Sequence, residues 1–175
     1  ILEESKIWTP TKGAPQGAVL SPLLANIYLH PLDMLMHEKG YKIIRYADDF
    51  VILTKSEKEA IAALDVMQKW VQSRGISFHP DKTHIGNCME VGQGFEFLGY
   101  KFEAGRKWVK RKSLMKLKDK IREYTKRTCG KSMDQVIKKL NPMLRGWYNY
   151  FKHAYKTTFP NIDKFTRRRL RAILR

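Results

Sequence analysis

The feature that most constrains the fold of this sequence is a pair of β-rich segments separated by a short polar centre. Residues 42–46 read KIIRY and residues 50–53 read FVIL, with an alanine and two aspartates between them. Two apolar, β-branched runs that flank a tight polar centre predict a β-hairpin. The chain must therefore fold around a hairpin whose tip has two adjacent acids, Asp48 and Asp49.

Helical patterns lie on both sides of this hairpin. Ser21 followed by proline predicts a helix start with the serine as N-cap, and Gly40 predicts the end of that helix. After the hairpin, Ser56 opens a capping-box pattern, S-x-x-E, and an amphipathic helix continues to Gly75. Strands and helices in this alternation indicate an α+β fold, a sheet with helices packed on one face.

The remainder of the chain changes from strand patterns to helical ones. Short strands are predicted around residues 83–85, 95–102 and 107–110. Helical spacing follows over residues 114–124 and 133–144, and residues 161–175 contain the run RRRLR. Because the composition changes near residues 104–112, we place a domain boundary between residues 105 and 106.

Charge is distributed unevenly along the chain. Residues 1–99 contain 10 Lys or Arg and 12 Asp or Glu, whereas residues 100–175 contain 24 and 5. The net charges are therefore −2 and +19, which together give the total of +17. A strongly basic half joined to a near-neutral half indicates that the basic half binds a polyanion such as nucleic acid. A well-solvated basic surface is the alternative.

Other bulk features exclude several classes of protein. Cys88 and Cys129 lie far apart and form no C-x-x-C motif, which fits a reducing compartment rather than a disulfide-rich secreted scaffold. No apolar run approaches the roughly 20 residues that span a bilayer, so we expect no membrane partner. The chain begins with ILEE rather than with methionine and shows no signal peptide, so we expect it to be a fragment.

The paired aspartates suggest a metal site. Carboxylate oxygens suit Mg²⁺, which accepts one or two protein carboxylates and takes its other ligands from water and phosphates. Two such ions about 4 Å apart can promote phosphoryl transfer. Aspartate is also a common turn residue, and an Asp-Asp dipeptide taken alone is usually a solvated turn.

The motifs around the aspartates resemble those of reverse transcriptases. Residues 46–50, YADDF, resemble the Y-x-D-D box, and residues 13–29 resemble the PQG and SP segment in the form typical of group II intron enzymes and their bacterial relatives. Three further segments resemble the lysine-bearing motif, the primer-grip hairpin and the thumb or maturase region, at residues 75–83, 95–100 and 140–151. The five segments occur in the family's order.

The resemblance implies an architecture and an activity. Residues 1–105 would form the C-terminal part of an antiparallel palm sheet with packed helices, and residues 106–175 a helical, basic, thumb-like or maturase-type RNA-binding domain. The activity implied is RNA-directed DNA polymerisation with two Mg²⁺ ions, or Mn²⁺, and dNTP substrates. The partners implied are an RNA template, an RNA–DNA or RNA duplex, group II intron RNA, and the N-terminal fingers and palm portion of the same protein.

The resemblance also implies roles for individual residues. Asp48 and Asp49 would be catalytic metal ligands, and Lys82 a general acid for the pyrophosphate, although a plain surface lysine is the alternative. Nucleotide or template contacts are expected from Pro15, Gln16, Gly17, Tyr46 and Ala47. Leu98 and Gly99 would form the primer grip. RNA contacts are expected from Lys110, Arg111, Lys112, Lys116, Arg145, Arg167, Arg168 and Arg169.

One departure from the family pattern concerns the catalytic acids. The family has a third catalytic aspartate upstream of the PQG segment, but only Glu3 and Glu4 precede Gly13 here. We therefore expect this fragment alone to be inactive. The alternatives to the polymerase are a non-catalytic RNA-binding maturase and a CRISPR- or defence-associated relative. The expected location is a bacterial cytoplasmic ribonucleoprotein, with an organelle as the alternative.

Overall fold

The secondary structure is of the α+β class, as the sequence predicts. A computed structural model describes the backbone of residues 2–3 and 6–7, together with residues 19–79, 82–128 and 130–174. The strands are β1 (Leu2–Glu3), β2 (Lys6–Ile7), β3 (Lys42–Tyr46), β4 (Asp49–Leu53), β5 (Phe95–Phe97), β6 (Tyr100–Glu103) and β7 (Arg106–Val109). The helices are α1 (Ser21–Glu38), α2 (Glu57–Ser73), α3 (Arg111–Tyr124), α4 (Met133–Phe151) and α5 (Thr158–Ile173).

All strand pairs are antiparallel. β1 pairs with β2, β3 with β4, and β5, β6 and β7 form a three-stranded sheet in sequence order. The strand predicted at residues 83–85 is wrong, because these residues are irregular and His84 and Ile85 are exposed. A short apolar pattern becomes a strand only where a neighbouring strand accepts and donates its hydrogen bonds.

The chain divides into two compact units. Residues 1–85 form one, with 10 Lys or Arg and 10 Asp or Glu, and we call it the neutral unit. Residues 86–175 form the other, the basic unit, with 24 and 7, so the whole net charge of +17 lies there. The β5–β7 sheet packs within the basic unit. The predicted division of palm from thumb at residues 105 and 106 is a separate statement about function, and it stays a prediction.

The core of the neutral unit lies between two helices and a hairpin. Leu32 and Met36 of α1 pack against Ala63 and Met67 of α2, and strand residues including Phe50 cover this cluster. Burial alternates along β3, so that one face of the strand turns toward this core. The core therefore fixes which side chains of the hairpin point inward.

The predicted helix ends are confirmed, with one shift. At Gly40 and Gly75 the φ angles are 79° and 70°, and the flanking N–H groups bond back to the last turns of α1 and α2. Ser56 caps α2 by accepting a hydrogen bond from the Glu59 N–H at 3.3 Å. The N-cap predicted at Ser21 is one residue late, because Leu20 occupies that position and Ser21 is already helical.

The basic unit has two adjacent cores. Leu117 and Ile121 of α3 pack with Leu140 of α4 and Ile162 of α5. Val109, Phe151 and Ala154 form the second cluster, and Trp147 packs against both. The helical predictions for the second half are confirmed, and α4 extends beyond the predicted segment to Phe151.

Candidate functional site

Asp48 and Asp49 lie at the tip of the β3–β4 hairpin, as predicted. Tyr46 pairs with Asp49 across the strands, so Ala47 and Asp48 form a two-residue loop and Asp49 is the first residue of β4. Ala47 has a φ of 54°, in the left-handed region that L-residues other than glycine seldom adopt. We call Tyr46–Asp49 the carboxylate turn.

The carboxylate turn presents donors that fit a hard divalent cation. Both aspartate side chains are exposed, and neither forms a hydrogen bond or ion pair with another described residue. In the part of the chain that the structure describes, no group of three or more His, Cys, Asp or Glu side chains comes together. Two carboxylates match Mg²⁺, whose remaining ligands are typically water and substrate phosphate oxygens.

An arginine anchors this turn to helix α1. The Arg45 guanidinium donates a fork to Asp33, with Nε to Oδ1 at 2.9 Å and Nη2 to Oδ2 at 2.5 Å. Its Nη1 donates both to Asn26 Oδ1 and to the Ala47 carbonyl oxygen, each at 2.9 Å. The hydrogen bond to Asp33 raises the pKa of Arg45, so the guanidinium stays charged at any ordinary pH.

Sequence reasoning missed Arg45, Asp33 and Asn26, although a signal was present. If Ile43 faces the core, the two-residue period of a strand places Arg45 on the same face. An inward arginine needs acceptors, and Asp33 lies between the buried α1 residues Leu32 and Met36.

Of the other residues predicted to act at the carboxylate turn, only some lie in it. Tyr46 and Ala47 are in the turn, and the Tyr46 side chain is 65% exposed. Lys82 is exposed, and its N–H bonds to the His79 carbonyl at 3.1 Å. No contact joins Lys82 to the aspartates among the described residues. The predictions for Pro15, Gln16 and Gly17 lie outside the described residues.

The primer-grip segment is a second hairpin with a two-residue loop. Leu98 and Gly99 connect β5 to β6 with φ angles of 48° and 80°, both positive as in a type I′ turn. A Cβ on Gly99 would lie 3.3 Å from the Phe151 ring and 3.4 Å from Ser113 Oγ. The glycine therefore allows this turn to pack closely within the basic unit.

Two tyrosines fasten this second turn to α4. The Tyr150 hydroxyl donates to the Leu98 carbonyl at 2.9 Å, and the Tyr100 hydroxyl donates to the Tyr150 carbonyl at 2.6 Å. Burial, and secondarily the neighbouring Tyr150, raise the pKa of Tyr100. The sequence did not reveal this reciprocal pair, which joins residues about 50 positions apart.

Four of the predicted RNA-binding residues come together at the start of α3. They line a surface depression of about 490 Å³, which we call the α3 basic surface: Lys110, Arg111, Lys112 and Lys116, with Glu96, Met115 and Asp119. Lys110 forms an ion pair with Glu96, so its charge is partly neutralised. The other three basic residues form no ion pair with a described residue.

A second basic depression of about 600 Å³ lies along α5. This α5 basic surface is lined by Arg127, Lys164, Arg167, Arg168, Arg171 and Ala172. Arg145 is exposed on α4 and lines neither depression.

The three consecutive arginines of α5 have different environments. Arg167 pairs with Asp163 at 3.1 Å, and Arg168 lies over the Phe165 ring at 5.6 Å. Arg169 turns inward, where Nε donates to Thr125 Oγ1 at 3.0 Å and Nη2 to the Thr125 carbonyl at 2.8 Å. The helical period explains this, because Arg169 shares a face with the buried Ile162 and Thr166.

Comparisons with known proteins connect both units to one family. Residues 3–102 match the model of the reverse transcriptase (RNA-dependent DNA polymerase) family, which is more than half of the chain. The chain belongs to the reverse transcriptase family. Residues 114–175 match the group II intron maturase-specific domain, so the reverse transcriptase is of the group II intron type.

Individual relatives are similar over part of their length. Protein YkfC of Escherichia coli (strain K12) is 29% identical over 126 residues, 52% of this chain and 32% of that protein. The retron Ec86 reverse transcriptase of Escherichia coli is 35% identical over 75 residues, 41% of this chain and 23% of the relative. The telomerase reverse transcriptase of Oryzias latipes is 29% identical over 93 residues, 51% and 8% respectively.

The chain thus spans a third or less of the length of these relatives. Among the helices of the described residues, none is long and apolar enough to cross a membrane.

Proposed function

We propose that this chain provides two metal-binding carboxylates and an RNA-holding surface of an RNA-directed DNA polymerase. The observation that supports the proposal most directly is the carboxylate turn, where two exposed aspartates share a hairpin tip inside the family match. When bound there, Mg²⁺ or Mn²⁺ would neutralise phosphate charge during nucleotidyl transfer from a dNTP. Asp48 and Asp49 would hold the ion, and the exposed Tyr46 and the partly buried Ala47 would border the space beside it.

The first test removes one carboxylate with little change of shape. Asp48→Asn should lower cDNA synthesis on a primed RNA template at least about 100-fold, because metal-ion stabilisation is worth several kcal/mol. RNA affinity should not change. Glu57→Gln, an exposed acid on α2, is the matched control and should retain activity. The assay uses a longer natural protein that contains these residues and synthesises cDNA before the change; synthesis that survives Asp48→Asn contradicts the proposal.

The basic unit is proposed to bind the backbone of an RNA-containing duplex. Its net charge of +17 and the α3 basic surface support this role, since phosphate contacts from Lys and Arg are independent of sequence. Arg167 and Arg168 on the α5 basic surface are proposed to add contacts. Arg169 has acceptors within the protein and is the weakest of the eight RNA-binding predictions.

The test of RNA binding compares charges inside and outside the α3 basic surface. We expect RNA affinity to depend less steeply on salt when Arg111, Lys112 and Lys116 are changed together to Gln. The magnitude of the slope of log affinity against log salt should decrease by about 2, since each phosphate that is no longer neutralised contributes about 0.7–0.9. The control changes three exposed lysines outside both depressions to Gln: Lys131, Lys138 and Lys139. Equal decreases of the slope in both triple variants would indicate a diffuse, solvated charge instead.

A second candidate function is assistance of intron splicing, which the match to the maturase-specific domain favours. In this case the RNA partner is group II intron RNA within a ribonucleoprotein of the bacterial cytoplasm or an organelle. Asp48→Asn separates the two functions, because splicing assistance should persist when cDNA synthesis is abolished. Loss of both activities together with RNA binding would show that the acid serves the fold.

A further inference from the structure

We infer that Arg45 is a positioning residue, which fixes the carboxylate turn against helix α1 and thereby sets its affinity for divalent metal. This inference rests on the proposed function, because it concerns the metal-binding carboxylates of Asp48 and Asp49. Three structural observations support it: the largely buried position of the guanidinium, the set of its acceptors, and the peptide group that it holds.

The Arg45 side chain is only 12% exposed. A guanidinium in that position must have its N–H donors satisfied, because an unpaired buried charge is strongly unfavourable. Asp33 provides the charge and Asn26 a neutral oxygen, and the two residues lie about two turns apart along α1. Arg45 is therefore held by a helix that the core of the neutral unit already fixes.

The remaining hydrogen bond of Arg45 reaches the carboxylate turn itself. Nη1 donates to the Ala47 carbonyl, which belongs to the peptide group that also contains the Asp48 nitrogen. Fixing that peptide plane fixes the direction in which the chain enters Asp48. The φ of 54° at Ala47 is a strained conformation for alanine, so the turn needs such an external contact to keep it.

The ion pair with Asp33 has a second consequence for the aspartates. An arginine three and four residues from two exposed acids would ordinarily pair with them and compete with a cation. Here the guanidinium is hydrogen-bonded to Asp33 instead. The carboxylate oxygens of Asp48 and Asp49 therefore have no cationic partner among the described residues. Arg45 thus organises the metal ligands without occupying them.

This geometry gives an expectation opposite in sign to that of simple electrostatics. Removing a positive charge beside two carboxylates should strengthen cation binding by Coulomb attraction. If Arg45 instead positions the turn, Arg45→Met should weaken binding, because loss of a residue that orients metal ligands typically costs about tenfold or more in affinity. The direction of the change therefore separates the two explanations.

The experiment measures Mn²⁺ binding to the 175-residue chain by the electron paramagnetic resonance signal of free Mn²⁺. Arg45→Met should weaken binding about tenfold, and Arg45→Lys, which keeps the charge and loses the fork, should weaken it less. Lys42→Met removes the same charge from the exposed face of β3 and should leave binding unchanged or slightly tighter. Val71→Ala, at a buried position of α2, controls for lower stability and should not change the affinity.

Amide hydrogen exchange over residues 46–49, followed by NMR without metal, provides a second measurement. Exchange there should rise about tenfold in Arg45→Met beyond the rise in Val71→Ala, as expected for local opening. Unchanged exchange, or Mn²⁺ binding as tight as in the parent chain, would overturn the inference. If the parent chain binds no Mn²⁺ while exchange still rises in Arg45→Met, the positioning of the turn stands and the metal-binding part of the proposed function fails.

Discussion

Two of the hairpin turns among the described residues share their loop length and one feature of the backbone. Ala47–Asp48 in the neutral unit and Leu98–Gly99 in the basic unit are both two-residue loops between antiparallel strands. In each, the first loop residue is not glycine and has a positive φ, 54° and 48°. In each, the carbonyl of that residue accepts a hydrogen bond from a side chain, Arg45 in one case and Tyr150 in the other.

The turns differ in what their second residue does and in how they are held. Asp48 is exposed and held through a charged network, whereas Gly99 packs beside Phe151 and is held by neutral hydroxyl groups. Arg45 lies in the hairpin that it fixes, while Tyr150 comes from α4. Loops of the same length thus present an exposed carboxylate in one unit and join a hairpin to a helix in the other.

The largest expected effect tests the charged network, by which we mean Arg45 with its acceptors Asp33, Asn26 and the Ala47 carbonyl. Asp33→Asn leaves the guanidinium of Arg45 largely buried without a counter-charge, and should destabilise the neutral unit by about 2 kcal/mol. This is below the roughly 3–5 kcal/mol of fully buried pairs, because Asp33 is itself 27% exposed. Hydrogen exchange resolved by mass spectrometry should show the destabilisation in residues 19–79. Glu38→Gln, at the exposed end of α1, is the control, and an equal effect there would mean that the network is not special.

The next effect tests the close packing of the second turn. Gly99→Ala should destabilise the basic unit by about 2 kcal/mol, from a left-handed φ and from crowding against Phe151. Gly92→Ala is the matched control, because Gly92 has a φ of 86° and open space at its Cβ, so about 1 kcal/mol is expected. Urea unfolding gives both values. Equal destabilisation would show that packing at Gly99 contributes nothing beyond the backbone.

The Asp48 position should respond differently. Asp48→Ala removes an exposed side chain from the carboxylate turn, so the change in the free energy of unfolding should stay within about 0.5 kcal/mol. A larger decrease, measured in the same urea experiment, would mean that Asp48 serves the fold and that the contrast between the turns is wrong.

Local patterns in the sequence were sufficient for most of the fold. Two β-rich apolar runs around a polar centre predicted β3 and β4. A serine cap and glycine stops predicted the ends of helices because those signals act within one turn. The strand predicted at residues 83–85 failed because a strand depends on a partner that the local sequence does not specify. The α+β class followed from the local signals, but the grouping of β5–β7 with the helices of the basic unit did not.

The residues of the candidate site also differ in whether the sequence could identify them. Asp48 and Asp49 could be found because they are adjacent and lie between two strands. Arg45 and Asp33 are 12 positions apart and meet only when β3 lies on α1, so their pairing required the strand's inward face to be assigned first. The three arginines at 167–169 looked equivalent as a run, yet the helical period directs Arg169 inward to Thr125.

The smallest expected effect is a difference in pH dependence between the two turns, because tyrosine hydroxyl groups hold one and an arginine holds the other. Tyr100 has a raised pKa, chiefly through burial, so in the folded chain it keeps its proton above the ordinary value of about 10. Its contribution to stability is therefore complete below about pH 10 and is lost as pH rises through the folded pKa. The pKa of Arg45 is also raised, by the hydrogen bond to Asp33, and a guanidinium stays protonated at far higher pH than a phenol, so its bond to the Ala47 carbonyl should persist over the same range.

The measurement is tyrosinate absorbance near 295 nm, with Tyr100→Phe subtracted from the parent chain. The difference should show one tyrosine that titrates above pH 10, and amide exchange at residues 98–99 should rise over the same interval relative to residues 46–49. Tyr148→Phe is the control, since the Tyr148 side chain is half exposed. Titration of Tyr100 at or below about pH 10 would mean that burial does not protect the hydroxyl, and that Tyr100 does not make the stability of the second turn depend on pH.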